Sequence, residues 1–230
     1  MARARLWRVW GIRDDGRMAI AFVVDPPLTG ELRARIVELW VEVTNAGGAV
    51  GFVAPVAAGD VWPVAEAAFA GVVEGVDRLL VGMDGDELVA LLFVVDNRFV
   101  LKDHWRVLKR VMVTPKSQGR GYGAALMRAA EALGRAMGLA GLQVTVRGGA
   151  GTERFYTGLG YREVGRIPGA LRVAPGDDRD EFYLWLDLVV KGPGEAGSAG
   201  DSPGEVGSAG DGPGGDGAGG KGSGGEGSGG

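Results

Sequence analysis

Residues 111–126, Val-Met-Val-Thr-Pro-Lys-Ser-Gln-Gly-Arg-Gly-Tyr-Gly-Ala-Ala-Leu, read as a short apolar strand, a proline stop, a glycine-rich turn and a helix start. Leu126, Ala130, Leu133 and Met137 recur three or four residues apart, so the helix beyond the turn carries one apolar face. The first N–H groups of a helix have no partner inside it, and the positive end of its dipole lies there. Gly119, Gly121 and Gly123 lack Cβ atoms, so an anion can come up against the backbone itself, with the Arg120 guanidinium nearby. No Gly-Lys-Ser/Thr follows, which separates the turn from a nucleotide P-loop.

The rest of the chain alternates strand and helix signals around this stretch. Leu6–Ile12 and Met18–Val24 flank an Asp-Gly turn and predict a hairpin that Pro26-Pro27 ends. Leu32, Ile36, Leu39, Trp40 and Val43 keep helical spacing, so an amphipathic helix is expected from Thr29 to about Thr44. A second glycine-rich loop follows, Gly47-Gly-Ala-Val-Gly-Phe52, either a turn between helices or the lining of a substrate pocket. Asp60 is placed to cap the next helix, with Pro63 in its first turn and an end near Gly75. Arg78–Val81 and Glu87–Val95 predict another hairpin, and Trp105–Val113 the strand that leads into the glycine turn. Strands at Leu142–Val146, Tyr161–Arg166 and Glu181–Leu188 complete the pattern, with a short helix near Glu153–Gly158. The last two strands are expected to be joined by a long loop through Pro168 and Pro175-Gly-Asp-Asp178.

Composition bounds the rest. Residues 191–230 hold 19 Gly, no aromatic residue and a near repeat, too little apolar surface to offset the entropy of ordering, so a flexible acidic tail is expected after a folded domain of residues 1–190. That segment's two Lys and six Asp or Glu (2 − 6 = −4) account for the net charge of −4, and the preceding 190 residues balance at 23 basic and 23 acidic. A neutral body argues against non-specific nucleic-acid binding. With no Cys, a disulfide framework, a thiolate metal site and a cysteine nucleophile are all excluded. The runs Met18–Val24 and Leu88–Val95 are too short to span a bilayer, and the basic N-terminus meets Asp14-Asp15-Gly16 before any sustained apolar run, so a cytoplasmic location is expected. Arg outnumbers Lys 20 to 5, which with the Ala, Gly and Val content suggests a GC-rich bacterial genome.

Gln118-Gly-Arg-Gly-Tyr-Gly123 with its Val-x-Val-x-Pro lead-in resembles the Q/R-x-x-G-x-G/A signature of the GNAT superfamily of N-acetyltransferases. Phe155-Tyr-x-x-Leu-Gly-Tyr161 resembles the family's second signature at the family's distance, so the likeness covers about residues 6–190. The tight run from Gly160-Tyr161 to Ala170 and the Gly47–Phe52 loop look most like the small-molecule branch that includes tabtoxin-resistance-type acetyltransferases. The resemblance implies an α/β fold, a mixed, mostly antiparallel twisted sheet flanked by helices and splayed between the family's fourth and fifth strands, here Trp105–Val113 and Leu142–Val146. It implies acetyl-CoA as cosubstrate, its pyrophosphate on Gln118, Gly119, Arg120, Gly121, Tyr122, Gly123 and Ala124, and its pantetheine arm along Val111, Met112 and Val113. The partner is then a small-molecule amine, with neither nucleic acid nor membrane, and a homodimer is compatible with it.

Attack of an amine on the thioester needs a neutral amine, a held oxyanion and a proton for the leaving sulfur. Tyr156 stands at the family's general-acid position, and a tyrosine of pKa about 10 matches a thiol of about 8.5. The oxyanion donor is expected at a backbone N–H near Met112 or Val113. Relatives often carry a base carboxylate near the place of Val107; here His104, the sole histidine, and Asp103 lie nearby, with Asp180 or Glu181 acting through water as the alternative. Gly149 and Thr152 stand where relatives often place Asn and Ala. Arg166, Arg172 and Arg179 either pair a substrate carboxylate or are balanced by Asp177, Asp178, Asp180 and Glu181. Without a cysteine, acetyl transfer is expected by direct attack in a ternary complex; the alternative is a catalytically inactive CoA-binding module.

Overall fold

Two hydrophobic cores, one on each face of a single sheet, organise the chain. The computed structural model describes residues 9–12, 18–149 and 151–189. In chain order the elements are β1 (Val9–Ile12), β2 (Met18–Val24), α1 (Gly30–Asn45), α2 (Ala58–Val73), β3 (Arg78–Asp84), β4 (Glu87–Val95), β5 (Trp105–Val113), α3 (Tyr122–Ala136), β6 (Gly141–Arg147), α4 (Thr152–Thr157), β7 (Arg162–Ala174) and β8 (Asp177–Asp187). The expected order of elements is therefore the observed one. Residues 6–8, the expected Arg13–Arg17 turn and the expected tail lie outside the described residues.

The eight strands run β1-β2-β3-β4-β5-β6-β8-β7 across the sheet. All neighbours are antiparallel except β5 and β6, which α3 connects. This is the mixed, mostly antiparallel α/β sheet that the resemblance implied. Helix α3 packs Leu126, Met127, Ala130 and Leu133 on one face, against Phe22, Leu80, Leu92 and Val144. Helices α1 and α2 pack Ile36, Trp40, Val61 and Phe69 on the other, against Leu79, Leu91, Phe93 and Met112. Because β4 is covered on both faces, Leu88–Val94 is buried without interruption, as its continuous apolar run requires.

Helix α1 starts one residue after the expected Thr29, which caps it, its Oγ1 accepting from the Leu32 N–H at 3.2 Å. Asp60 does not cap α2. It sits in the first turn, where its carboxylate accepts the Ala57 N–H at 2.8 Å, and this moves the helix start back to Ala58 and leaves Pro63 inside the helix. The larger correction is at the end of the chain. The expected long loop is a β-hairpin in which Pro175-Gly176 forms the turn, Gly176 at φ 79°, the position a type II turn reserves for glycine. Pro168 is tolerated because it lies in a bulge: Ile167 pairs with Glu181 and Leu171 with Arg179, so three residues stand opposite Asp180. Gly169, at φ 60°, donates its N–H to the Asp180 carboxylate there.

Tyr122 ties the helix start to the β3–β4 hairpin, its hydroxyl donating to Asp84 Oδ2 at 2.6 Å while its ring is buried. A hydrogen bond to a carboxylate is worth about 1.5–3 kcal/mol. Tyr122→Phe is therefore expected to lower unfolding free energy by about that amount in a denaturant titration, with an unchanged m value; a loss below about 0.5 kcal/mol would show that this bond does not anchor the helix. Among the described residues no helix is long and apolar enough to cross a membrane.

Candidate active site

The sheet opens between β5 and β6. Their pairing runs from Trp105/Gly141 to Leu108/Val144 and stops, although β5 continues to Val113 and β6 to Arg147. At the same point β5 bulges: Leu91 pairs with Met112 and Phe93 with Lys109, so Arg110 and Val111 stand opposite Leu92. Arg110 takes φ 56°, a left-handed conformation uncommon for a side chain of its size. The Thr114 N–H donates to the Val89 carbonyl at 2.8 Å, which fixes the alternation. Met112 turns its backbone groups to β4, whereas Val111 and Val113 turn theirs to the open edge.

Below this edge lies a cavity of about 550 Å³. It is bounded by the Ala49–Val53 loop, Leu108–Val111 of β5, Val144, Thr145 and Arg147 of β6, Tyr156 of α4, Ala170–Val173 of β7 and Glu181 of β8. The Gly47–Phe52 loop is thus a wall of the cavity, the second of the two readings its glycines allowed. Gly51 takes φ 103°, a conformation that favours glycine, and the Arg110 guanidinium carbon would lie 2.8 Å from a Cβ there.

The glycine turn opens beside the same edge. Gly119 and Gly121 take φ 77° and 82°, and a Cβ on either would meet nothing within 4 Å, so the space above the turn is open. Among the described residues no backbone carbonyl accepts from the N–H groups of Gly119, Arg120, Gly121, Gly123 or Ala124. Gln118 folds its amide back to the Val113 carbonyl at 3.4 Å, at the mouth of the wedge. Gly123 lets α3 approach Phe155, whose ring would lie 3.3 Å from a Cβ. Of the expected cosubstrate contacts, Met112 and Tyr122 bury their side chains in the core and offer only backbone. The donor set fits a pyrophosphate: adjacent free amides, open space and an exposed guanidinium at Arg120.

Tyr156 is 6% exposed, packed edge to face between Phe155 at 5.0 Å and Tyr161 at 5.7 Å. Burial pushes its phenol well above the ordinary tyrosine value, so it stays protonated through any working pH. Glu181 is half-buried and lines the same cavity, where its carboxylate accepts the Tyr183 hydroxyl at 2.9 Å. Asp180, the next residue on β8, points away: its carboxylate takes the Gly169 N–H and lies 3.6 Å from Arg166. His104 is not part of the site. It is 57% exposed just before β5, with Asp103 Oδ1 3.8 Å from its Nδ1. Five extended residues lie between it and Arg110, which puts the two roughly 20 Å apart.

The three arginines of the terminal hairpin have partners of their own. Arg172 holds Asp178 with two bonds of 2.7 and 2.8 Å, Arg179 holds Asp177, and Arg166 stacks on Phe182 at 4.1 Å. Gly149 borders a second cavity with Arg147 and Arg179, and Thr152 opens α4. Arg110 and Arg147 do line the main cavity, and sequence reasoning did not single them out. A signal existed for Arg110. Lys109-Arg110 puts two successive charges into an apolar strand, which breaks the period of two and marks a bulge. Among the described residues no cluster of three or more His, Cys, Asp or Glu could hold a metal ion.

Comparison with known proteins gives the class. Residues 57–161 match the family model described as the acetyltransferase (GNAT) family. A sequence comparison with curated proteins gives no match. Solved structures share the fold at low identity. A GNAT-family protein from Desulfovibrio desulfuricans aligns at TM-score 0.60 and 17% identity, over 74% of this chain and 100% of its own. The yncA protein of Salmonella typhimurium, solved with its cofactor acetyl-CoA, aligns at TM-score 0.59 and 17% identity, over 76% and 98%. The ribosomal-protein-S18-alanine N-acetyltransferase of Escherichia coli aligns at 0.54 and 17%, over 75% and 97%. Residues 57–161 are thus similar to the GNAT acetyltransferase family, and the fold of the chain is the one these solved structures share. The cosubstrate of that family is acetyl-CoA.

Proposed function

We propose that this protein transfers the acetyl group of acetyl-CoA to a primary amine of a small molecule, by direct attack within a ternary complex. The observation that carries this reading is the meeting of Tyr156, Glu181 and the open edge of β5 on one cavity. The glycine turn holds the pyrophosphate, and the Val111 and Val113 backbone pairs with the pantetheine arm. Glu181, directly or through one water, takes the proton of the attacking amine; an alkylammonium of pKa about 10.4 is only about 0.1% neutral near pH 7.4. As the new N–C bond forms, the carbonyl oxygen is held by a backbone N–H of the open edge, at Val111 or at the expected Val113; the other expected donor, Met112, is committed to β4. The C–S bond breaks, and Tyr156 hands its proton to the departing sulfur. The cavity volume falls in the range of small-ligand sites, which supports a small acceptor of the kind the tabtoxin-resistance-type branch takes. Glu181 and Tyr156 lining one cavity speak against a CoA-binding module without catalysis.

Acetyl-CoA is expected to raise the melting temperature, and Gly121→Glu to abolish that rise by placing a carboxylate where the pyrophosphate binds. Arg120→Glu, on an exposed side chain, separates charge from the backbone strain of a substitution at φ 82° and should weaken binding by about 10-fold. Initial rates at several concentrations of both substrates should give intersecting lines. Parallel lines, or an undiminished thermal shift in both variants, would overturn this assignment.

A further inference from the structure

Among the described residues one half-buried arginine has no acceptor. Arg33, Arg78, Arg106 and Arg179 each hold a carboxylate, and Arg35 and Arg147 each donate to a backbone carbonyl. Arg110 does neither. Its guanidinium lies 5.0 Å from the centre of the fully buried Trp40 ring, with Gly51 against it on the cavity wall. Trp40 is itself fixed, its Nε1–H donating to the Val50 carbonyl at 2.9 Å. The side chain is thus held in place before any ligand arrives, at a strained backbone position that the bulge imposes.

Burying a cation without a counter-charge is costly, and desolvation already lowers the Arg110 pKa from its ordinary value. Such a cation persists where a ligand supplies the missing charge. The nearby charges agree. Arg147 lies on the same wall, Arg172 is saturated by Asp178, and Glu181 is the acid of the cavity. A cationic end and an anionic end in one cavity match a zwitterion, its ammonium toward Glu181 and its carboxylate on the planar Arg110 fork.

We propose that the acceptor is an amine bearing a carboxylate, of the amino-acid type, and that Arg110, stacked on Trp40 and supported by Arg147, is the residue that selects it. This rests on the acetyl-transfer reading above for the amine, and on Arg110 alone for the carboxylate.

The test pairs the common L-amino acids with their carboxamides and with the corresponding decarboxylated amines. In the parent protein the carboxylates should be preferred by about 10–100-fold in kcat/KM, the range of one charge-assisted hydrogen-bond pair. Arg110→Met should bring the ratio to within about threefold of one, and Arg110→Lys should recover part of it; the melting shift given by acetyl-CoA reports that each variant is folded. Equal turnover of acids and amides by the parent would overturn the carboxylate assignment and leave acetyl transfer standing. Should nothing turn over, the same compounds are read by thermal shift with acetyl-CoA present. Stabilisation by the acids in the parent and not in Arg110→Met would keep the assignment and remove the transfer reading, and no stabilisation by any acid would remove both.

Discussion

Replacing Tyr156 with phenylalanine is expected to lower kcat by about 10²–10⁴, or about 3–5 kcal/mol of barrier, with acetyl-CoA affinity changed by no more than a few-fold. The ring would keep its contacts with Phe155 and Tyr161, so packing gives no reason for a loss. Burial raises the Tyr156 phenol, which at first widens its mismatch with a thiol. The departing thiolate is desolvated by the same cavity and is raised with it, so the two stay matched. Because the phenol remains protonated beyond its ordinary value of about 10, the parent should show no alkaline loss of rate below that pH. A thioester of a more acidic thiol should shrink the effect of the substitution. A variant that turns over like the parent would make Tyr156 a packing residue.

Glu181→Gln is expected to cost about 10²–10³ in kcat/KM near pH 7 and progressively less as the pH rises. The reason is the amine's own equilibrium. Without a base, the rate follows the neutral fraction, which grows tenfold per pH unit until about pH 10. The variant's profile should therefore climb with unit slope toward that of the parent. Glutamine preserves an oxygen acceptor for the Tyr183 hydroxyl, so β8 has no cause to move. Loss that is the same at every pH would assign Glu181 a positioning role and not that of a base.

Much of this was legible in the residues. The glycine turn, the helix after it and the strand before it fall where their spacing placed them, because each carries a strong local signal: φ values only glycine adopts readily, a 3.6-residue apolar period, and an apolar run ending at Pro115. The terminal hairpin was hidden for a physical reason. Pro168 and Pro175 are breakers in local terms, yet one sits in a bulge and the other in a type II turn, and only pairing with β8 makes either a strand feature. The site residues divide in the same way. Tyr156 follows from its place before Gly160-Tyr161, whereas Glu181 and Asp180 are indistinguishable until the register of β8 sends one into the cavity and the other out. His104 is the one histidine of the sequence, but the length of β5 carries it away from the bulge. Arg110 lies in a strand, where a charge ordinarily faces solvent; the bulge turns it inward onto Trp40.

Release of free thiol from acetyl-CoA, followed with a pool of primary amines and checked by mass spectrometry for the N-acetylated product, tests the central claim most directly. The account predicts thiol release that depends on the amine, matches the N-acetyl product mole for mole, and nearly disappears in Tyr156→Phe. Thiol release at the same rate with and without amines, or none across amino acids, polyamines and aminoglycosides while acetyl-CoA still raises the melting temperature, would contradict it.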